Sequence, residues 1–182
     1  DIESNMSPSK IVENVLKGDA DKIMHTLDEM NQGTFDMAVD LISTARKVYV
    51  VGVRSAACLA QFLAFYLRLI VNNVELVTTT SSSEMFEQMF RISEEDVCVA
   101  ISFPRYSKQT INALRFINDR GTKIIAITDS ADSPIAEYAD NILVAKNIGE
   151  LCNGSTYDSD SYCQGSNPCS TTNYKLKTCY GM

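Results

Sequence analysis

The stretch that decides the fold is Val97–Ala145, VCVAISFPRYSKQTINALRFINDRGTKIIAITDSADSPIAEYADNILVA. It opens on five apolar residues and passes through a loop of hydroxyls and cations. It then turns helical from Lys108 to Arg120 and returns to an apolar run at Lys123–Thr128. A short β-branched run, a helical stretch and a second short run mark parallel strands joined by a helical crossover. Gly121 suits the left-handed residue after a helix, and Ser133 before Pro134 reads as an N-cap with proline in the first turn. A further strand is expected at Asn141–Val144.

Moving outward toward the N-terminus, the same alternation predicts strands at Val74–Val77 and Val48–Val51. Helical stretches are predicted at Ala56–Ile70 and Ser83–Phe90, with a short one at Pro134–Tyr138. The strands are almost continuously apolar, as strands covered on both faces should be. The expectation is a three-layer α/β domain with a five-stranded parallel sheet and helices on both faces. Ahead of it, Ser7 to Lys47 shows apolar residues at helical spacing in three runs. Breaks are expected at Gly18 and Gly33, with Asp19 and Thr34 as N-caps. The expected organisation is a helical extension over 1–44, the α/β domain over 45–146 and an atypical tail over 147–182.

A chain of 182 residues with 45% hydrophobic composition fits one core better than two marginal ones. Lys+Arg 16 against Asp+Glu 23 leaves a net charge of -7, which lacks the footprint needed to neutralise a run of duplex phosphates. The longest apolar stretch, Leu59 to Ile70, is interrupted by Gln61 and Arg68 and is shorter than the roughly 20 residues that span a bilayer. Core burial is expected for it, with a share in a subunit contact as the alternative. The first residues lack the basic-then-apolar order of a secretory signal, so a cytoplasmic location without a membrane partner is expected. No internal repeat at solenoid periods is present.

In an open parallel sheet, ligands bind outside the carboxyl ends of the strands. After the first strand comes Gly52-Val53-Arg54-Ser55. There Gly52 allows a tight turn, Ser55 offers a hydroxyl, and the helix behind presents unpaired amides that suit a phosphate. The alternative is an ordinary strand-to-helix turn with Ser55 as its cap. Only Gly52 of the three dinucleotide-fingerprint glycines is present, and no Walker lysine follows. After the second strand, Thr78 to Ser83 offer six consecutive hydroxyls, which can line a polyol site or form a solvated loop. After the third strand, Ser102, Arg105, Ser107, Lys108 and Thr110 combine hydroxyls with two cations at a helix start. This is the strongest anion-binding candidate, because the Arg105 fork can clasp phosphate oxygens while hydroxyls and amides complete the shell. The competing reading makes Ser107 a cap and leaves the cations solvated.

These residues resemble the sugar isomerase (SIS) domain, in the form found at the C-terminal end of RpiR-type transcriptional regulators. ARKVYVVGVRSAACLAQFLAFYLRLI looks like that family's first strand, turn and helix, and the 97–145 stretch is similar to its second half. The resemblance implies a flavodoxin-like fold, a sugar phosphate bound by serine and threonine loops, and a homodimer or homotetramer. It places the phosphate-binding hydroxyls at Ser55, Ser102, Ser107 and Thr110. It also implies a DNA-binding helix-turn-helix in a part absent from this chain, with the segment from Ser7 as the join. Where the family's third loop has serine and glycine, this chain has Pro104 and Arg105. Where isomerase relatives place an acid/base glutamate, it has Gln109, and an amide cannot abstract a proton.

No catalytic residue is therefore expected, and no cofactor or metal. His25 reads as part of a solvated helix face, and Glu84 and Glu87 are the remaining candidates for residual catalysis. Cys58 and Cys98 sit in apolar runs like core residues, without a second ligand at metal-binding spacing. Sugar-phosphate aldose-ketose isomerisation is the alternative function. The tail carries Cys152, Cys163, Cys169 and Cys179 among Ser, Thr, Asn and Gly. Disulfides, a zinc site and a non-native continuation compete there. A cytoplasmic setting opposes the first, and the lack of close Cys pairs opposes the second. Composition favours the third.

Overall fold

A computed structural model of the protein describes residues 8–77 and 81–145. The tail readings, and Thr78–Thr80 of the second loop, lie outside the described residues. The chain runs α1 (Pro8–Glu29), α2 (Gln32–Thr44), β1 (Val48–Val51), α3 (Ala56–Leu67), β2 (Val74–Val77) and α4 (Ser82–Gln88). It continues through β3 (Val97–Ile101), α5 (Lys108–Asn118), β4 (Lys123–Thr128), a 3-10 turn (Ala136–Tyr138) and β5 (Asn141–Val144). All five strands lie where the sequence predicts them. They form one parallel sheet in the order β2-β1-β3-β4-β5.

Successive residues of a strand point to opposite faces, and the two cores divide accordingly. Tyr49, Val51, Cys98, Ala100, Ile124 and Ala126 face one cluster, completed by Met85 of α4, Met89 just after it, and Ala113, Leu114 and Ile117 of α5. Val48, Val50, Val97, Val99, Ile101 and Ile125 face the other, beneath Ala56, Ala60, Ala64 and Leu67 of α3 and Ala38 of α2. β1 and β3 are buried at every position, which is why their sequences lack polar alternation. Among the described residues no helix is long and apolar enough to cross a membrane.

The structure corrects several local expectations. α1 runs unbroken through Gly18, where an added Cβ would meet nothing within 4 Å, so the glycine costs only its propensity. Asp19 therefore lies inside the helix. α2 is capped by Asn31, whose side chain accepts from the Thr34 amide at 3.0 Å, so Thr34 is not the cap. Ser133 does not cap the 3-10 turn; its hydroxyl is buried without a partner. Gly121 does take the left-handed conformation, at φ 72. α3 contradicts the expectation of core burial: its outer side leaves Phe62 66% and Phe65 60% exposed. Cys58 is on that exposed side and Cys98 in the core, where burial pushes its thiol up to about 12.

The amino-terminal edge of the sheet is held by an ion pair between the buried Asp96 and the half-exposed Arg46. Asp96, 1% exposed, accepts from Arg46 Nε at 2.9 Å and from a second Arg46 nitrogen at 2.7 Å. The Ser93 amide also donates to it at 2.9 Å. Burial works to raise the Asp96 pKa, but the Arg46 and Ser93 hydrogen bonds outweigh it and hold the carboxyl below its usual value.

Candidate functional site

The chain order reverses between β1 and β3. From β1 it crosses over α3 to β2 on one side, then returns over α4 to β3 on the other. Such a switch point opens a crevice between diverging loops, and ligands bind there in open α/β sheets. β1 and β3 are in register through Val51 and Ala100, so the loops carrying Gly52–Ser55 and Ser102–Ser107 leave adjacent strand ends. All seven candidate binding residues lie on these two loops or in the first turn of α5.

In the first loop, Gly52 is not left-handed; its role is to allow close approach. A Cβ there would lie 2.7 Å from the Ala56 carbonyl oxygen and 2.8 Å from the Ala60 Cβ. Only glycine lets α3 descend onto the end of β1 at this distance. Arg54 follows at φ 56, a conformation that disfavours a residue with a Cβ. Ser55 occupies the position before α3, exposed, and its side chain makes no capping bond. The simple capping reading of Ser55 is therefore not what the structure has.

In the second loop, the Ser102 amide donates to the Ile127 carbonyl at 3.1 Å and prolongs the β3–β4 ladder, with its side chain buried. Arg105 is exposed at φ 73, a second left-handed arginine at the same end of the sheet. Ser107 is buried and caps α5, accepting from the Gln109 amide at 3.2 Å. Thr110 is fully buried in the first turn of α5, and its hydroxyl has no hydrogen-bond partner. Among the described residues Arg54, Arg105 and Lys108 form no ion pair. The strand-end loops thus present cations and helix amides without a carboxylate on Arg54 or Arg105 to neutralise them.

Two residues at this end went unassigned in the sequence. The Tyr106 hydroxyl donates to Asp129 at 2.5 Å, and the Thr128 hydroxyl donates to the same oxygen at 3.2 Å. Burial first, and then Asp129, drive the Tyr106 pKa well above its usual value, so the phenol keeps its proton. The pair ties the loop after β3 to the end of β4 and leaves Asp129 already engaged by two donors. The signal in sequence was an aspartate directly after an apolar strand, facing a tyrosine two positions before the helix. At the remaining hydroxyl-rich segment the hydroxyls of Ser81, before α4, and Ser83, in its first turn, lie 2.9 Å apart, and the seven-residue helix carries Glu84 and Glu87. His25 is on α1, 3.2 Å from Glu29.

The SIS domain family model matches residues 41–158. Among solved structures, the sugar isomerase domain of an RpiR transcription factor from Sphaerobacter thermophilus superposes with a TM-score of 0.73 at 29% identity, covering 79% of each chain. The Vibrio vulnificus NanR protein complexed with ManNAc-6P shares the fold, with a TM-score of 0.68 at 18% identity over 75% of this chain and 51% of its own. By sequence, an uncharacterised HTH-type transcriptional regulator of Haemophilus influenzae is 25% identical over 150 residues, 80% of this chain and 51% of that protein. The chain therefore spans about half the length of this regulator.

Proposed function

The chain belongs to the SIS domain family, and we propose that it is the sugar-phosphate-binding effector domain of an RpiR-type transcriptional regulator, binding its ligand without isomerising it. DNA contact falls to a helix-turn-helix in the rest of such a regulator, in keeping with this chain's net charge of -7. Residues 45–146 form the binding domain, and 1–44 connect it to the DNA-binding part. The observation that carries the reading is the β3–α5 junction at the switch point. There Arg105, the first-turn amides of α5 not taken by the Ser107 cap and the unpartnered, buried Thr110 hydroxyl belong to one short loop and its helix start. A phosphate supplies the acceptors these donors lack. Ser55 and Arg54 approach from the adjacent strand end, and Gly52 fixes the height of that loop.

The reason to separate sensing from isomerisation is chemical. Moving a proton between adjacent sugar carbons needs a free general base. By the family resemblance Gln109 stands where isomerase relatives carry the acid/base glutamate, and Asp129 is held by two hydroxyls. Isomerisation remains the competing function, favoured only by the isomerases among proteins of this fold, such as a putative sugar-phosphate isomerase from Listeria monocytogenes with a TM-score of 0.62 at 20% identity.

Thermal-shift titration against hexose, pentose, amino-sugar and N-acetylmuramic phosphates tests the site. Inorganic phosphate and the unphosphorylated sugars serve as controls. A ligand at a hundred times its Kd stabilises the native state by about 2.7 kcal/mol, a shift of several degrees. The shift should vanish or fall sharply in Ser55→Ala and Ser107→Ala, the latter also losing about 1 kcal/mol of intrinsic stability with its helix cap. Arg105→Gly should separate the two effects. Relief of the left-handed strain should raise apo stability by about 0.5 kcal/mol, after the entropy a glycine adds to the unfolded chain. Affinity should fall at least about tenfold with the guanidinium gone. Unchanged affinity in all three variants would remove the phosphate from these loops.

A further inference from the structure

The loop between β3 and α5 is fixed at both ends. At its start the Ser102 amide continues the β3–β4 ladder, and Phe103 packs against the cluster under α3. At its end Ser107 caps α5. Between them Pro104 and Arg105 are exposed, and Arg105 stands at φ 73, where a residue with a Cβ sits at a cost. Backbone in that region persists only where its surroundings over-determine it. The next residue is Tyr106, half-buried, whose hydroxyl donates to Asp129 Oδ1 at 2.5 Å.

The far end of that bond is a firm anchor. Asp129 directly follows β4, an interior strand paired with β3 on one side and β5 on the other. The Thr128 carbonyl accepts from the Ala145 amide at 2.8 Å, and the fully buried Thr128 hydroxyl donates to the Asp129 oxygen that Tyr106 uses. Beyond Asp129 the chain turns back at once, with the Ser133 amide on the Ser130 carbonyl at 3.2 Å and the Asp132 amide on the Ser130 hydroxyl at 3.1 Å. Tyr106 thus reaches across 23 residues to a fixed point, while its two neighbours in sequence, Arg105 and Ser107, are both candidate phosphate contacts. On charge alone, a carboxylate at this end of the sheet works against an anionic ligand. What Asp129 contributes instead is an acceptor that holds the loop.

We propose that Tyr106 is a positioning residue for the sugar-phosphate site: bonded to Asp129, it keeps Arg105 in its left-handed conformation and the start of α5 in place for the phosphate. The inference rests on the sugar-phosphate reading of these loops and adds that their affinity is set by a bond lying outside the ligand's own contacts. Losing the bond lets the loop populate other conformations, and the apparent Kd rises by the factor by which the competent one is depleted. A hydrogen bond to a charged group is strong enough for that factor to reach about ten.

Isothermal titration of the full chain tests this, with hexose, pentose and amino-sugar phosphates as probes and inorganic phosphate as the probe of the phosphate pocket alone. Tyr106→Phe and Asp129→Ala should each raise Kd about tenfold, and the double variant no more than either alone, as two ends of one bond should. Asp129→Asn keeps an acceptor oxygen and drops the charge, so its Kd should return to within about threefold of the parent. Without ligand, amide hydrogen exchange across 103–107 should quicken in Tyr106→Phe and Asp129→Ala and not in Asp129→Asn. Far-UV circular dichroism identifies a variant that has merely unfolded. Tyr106→Phe, which removes a single oxygen and leaves Thr128 its partner, carries the test if Asp129→Ala does not fold. A purely electrostatic role for Asp129 has the opposite sign, tighter binding in both Asp129→Ala and Asp129→Asn, and that result would overturn the proposal. So would an unchanged Kd in Tyr106→Phe beside a parent that binds. A parent that binds none of the probes would overturn the sugar-phosphate reading itself, and the positioning role with it.

Discussion

Gly52→Ala is expected to cost about 3 kcal/mol of stability and to abolish sugar-phosphate binding together, the largest combined effect of any single methyl in this protein. The added Cβ would sit 2.7 Å from the Ala56 carbonyl oxygen, 3.1 Å from its carbonyl carbon and 2.8 Å from the Ala60 Cβ. Two of these atoms are helix backbone, so no side-chain rotation relieves the overlap. α3 must lift away from β1. That movement opens the cluster in which Ala56, Ala60 and Ala64 pack on Val48, Val50 and Val99, and it carries Arg54 and Ser55 out of position. Gly121→Ala is the informative control. The nearest atom to its Cβ would be the Glu94 Cβ at 3.7 Å, so its cost of about 1 kcal/mol is the left-handed φ alone. Binding should survive there. Urea midpoints and ligand titrations on the two variants check both statements; a Gly52→Ala protein within about 1 kcal/mol of the parent would show that the close approach relaxes freely.

Arg46→Ala is expected to destabilise the fold at pH 7, since it removes both guanidinium donors from a carboxylate that is 1% exposed. Asp96 would keep only the Ser93 amide and hydroxyl as donors. The dependence on pH gives the sign. In the parent protein the Asp96 pKa is depressed, so its contribution is present above the unfolded value of about 3.9 and is lost as pH falls through the lower folded value. Without the guanidinium, burial dominates and raises that pKa. The variant then suffers its full penalty at neutral pH and escapes it in acid, where the carboxyl is protonated in both states. The difference in unfolding free energy between parent and variant should therefore shrink steadily from pH 7 to pH 4. A difference that stays constant over that range would mean that lost packing of the Arg46 stem, and not the buried charge, sets the cost. The pair lies at the amino ends of the strands, so ligand affinity should not change.

The contrast between these two glycine and arginine positions shows what could be read in the sequence. The strands were legible to the residue, because runs such as Val97–Ile101 and Lys123–Thr128 are apolar on both faces and bounded by turn-forming residues. The loops bearing Ser55 and Ser107 were legible by position, since they follow strands whose order the crossover pattern implies. Less was visible wherever tertiary context decides. Gly52 suggested a tight turn, but its function is the approach of α3, which depends on alanines four and eight residues later. Gly18 suggested a break, but a long helix absorbs one glycine. The Tyr106–Asp129 bond spans 23 residues and follows from the adjacency of β3 and β4. Apolar residues around most of α3 were consistent with burial in the core. A sequence does not state whether such a face is covered by its own chain or by another.

Binding without turnover is read by 31P NMR of the protein mixed at equal concentration with the sugar phosphate that stabilises it best. A phosphate resonance shifted or broadened by binding and restored in Ser107→Ala is expected, with no second sugar-phosphate signal after prolonged incubation. A product resonance that grows with time would make the protein an isomerase. An unperturbed resonance would remove the ligand from the strand-end loops altogether.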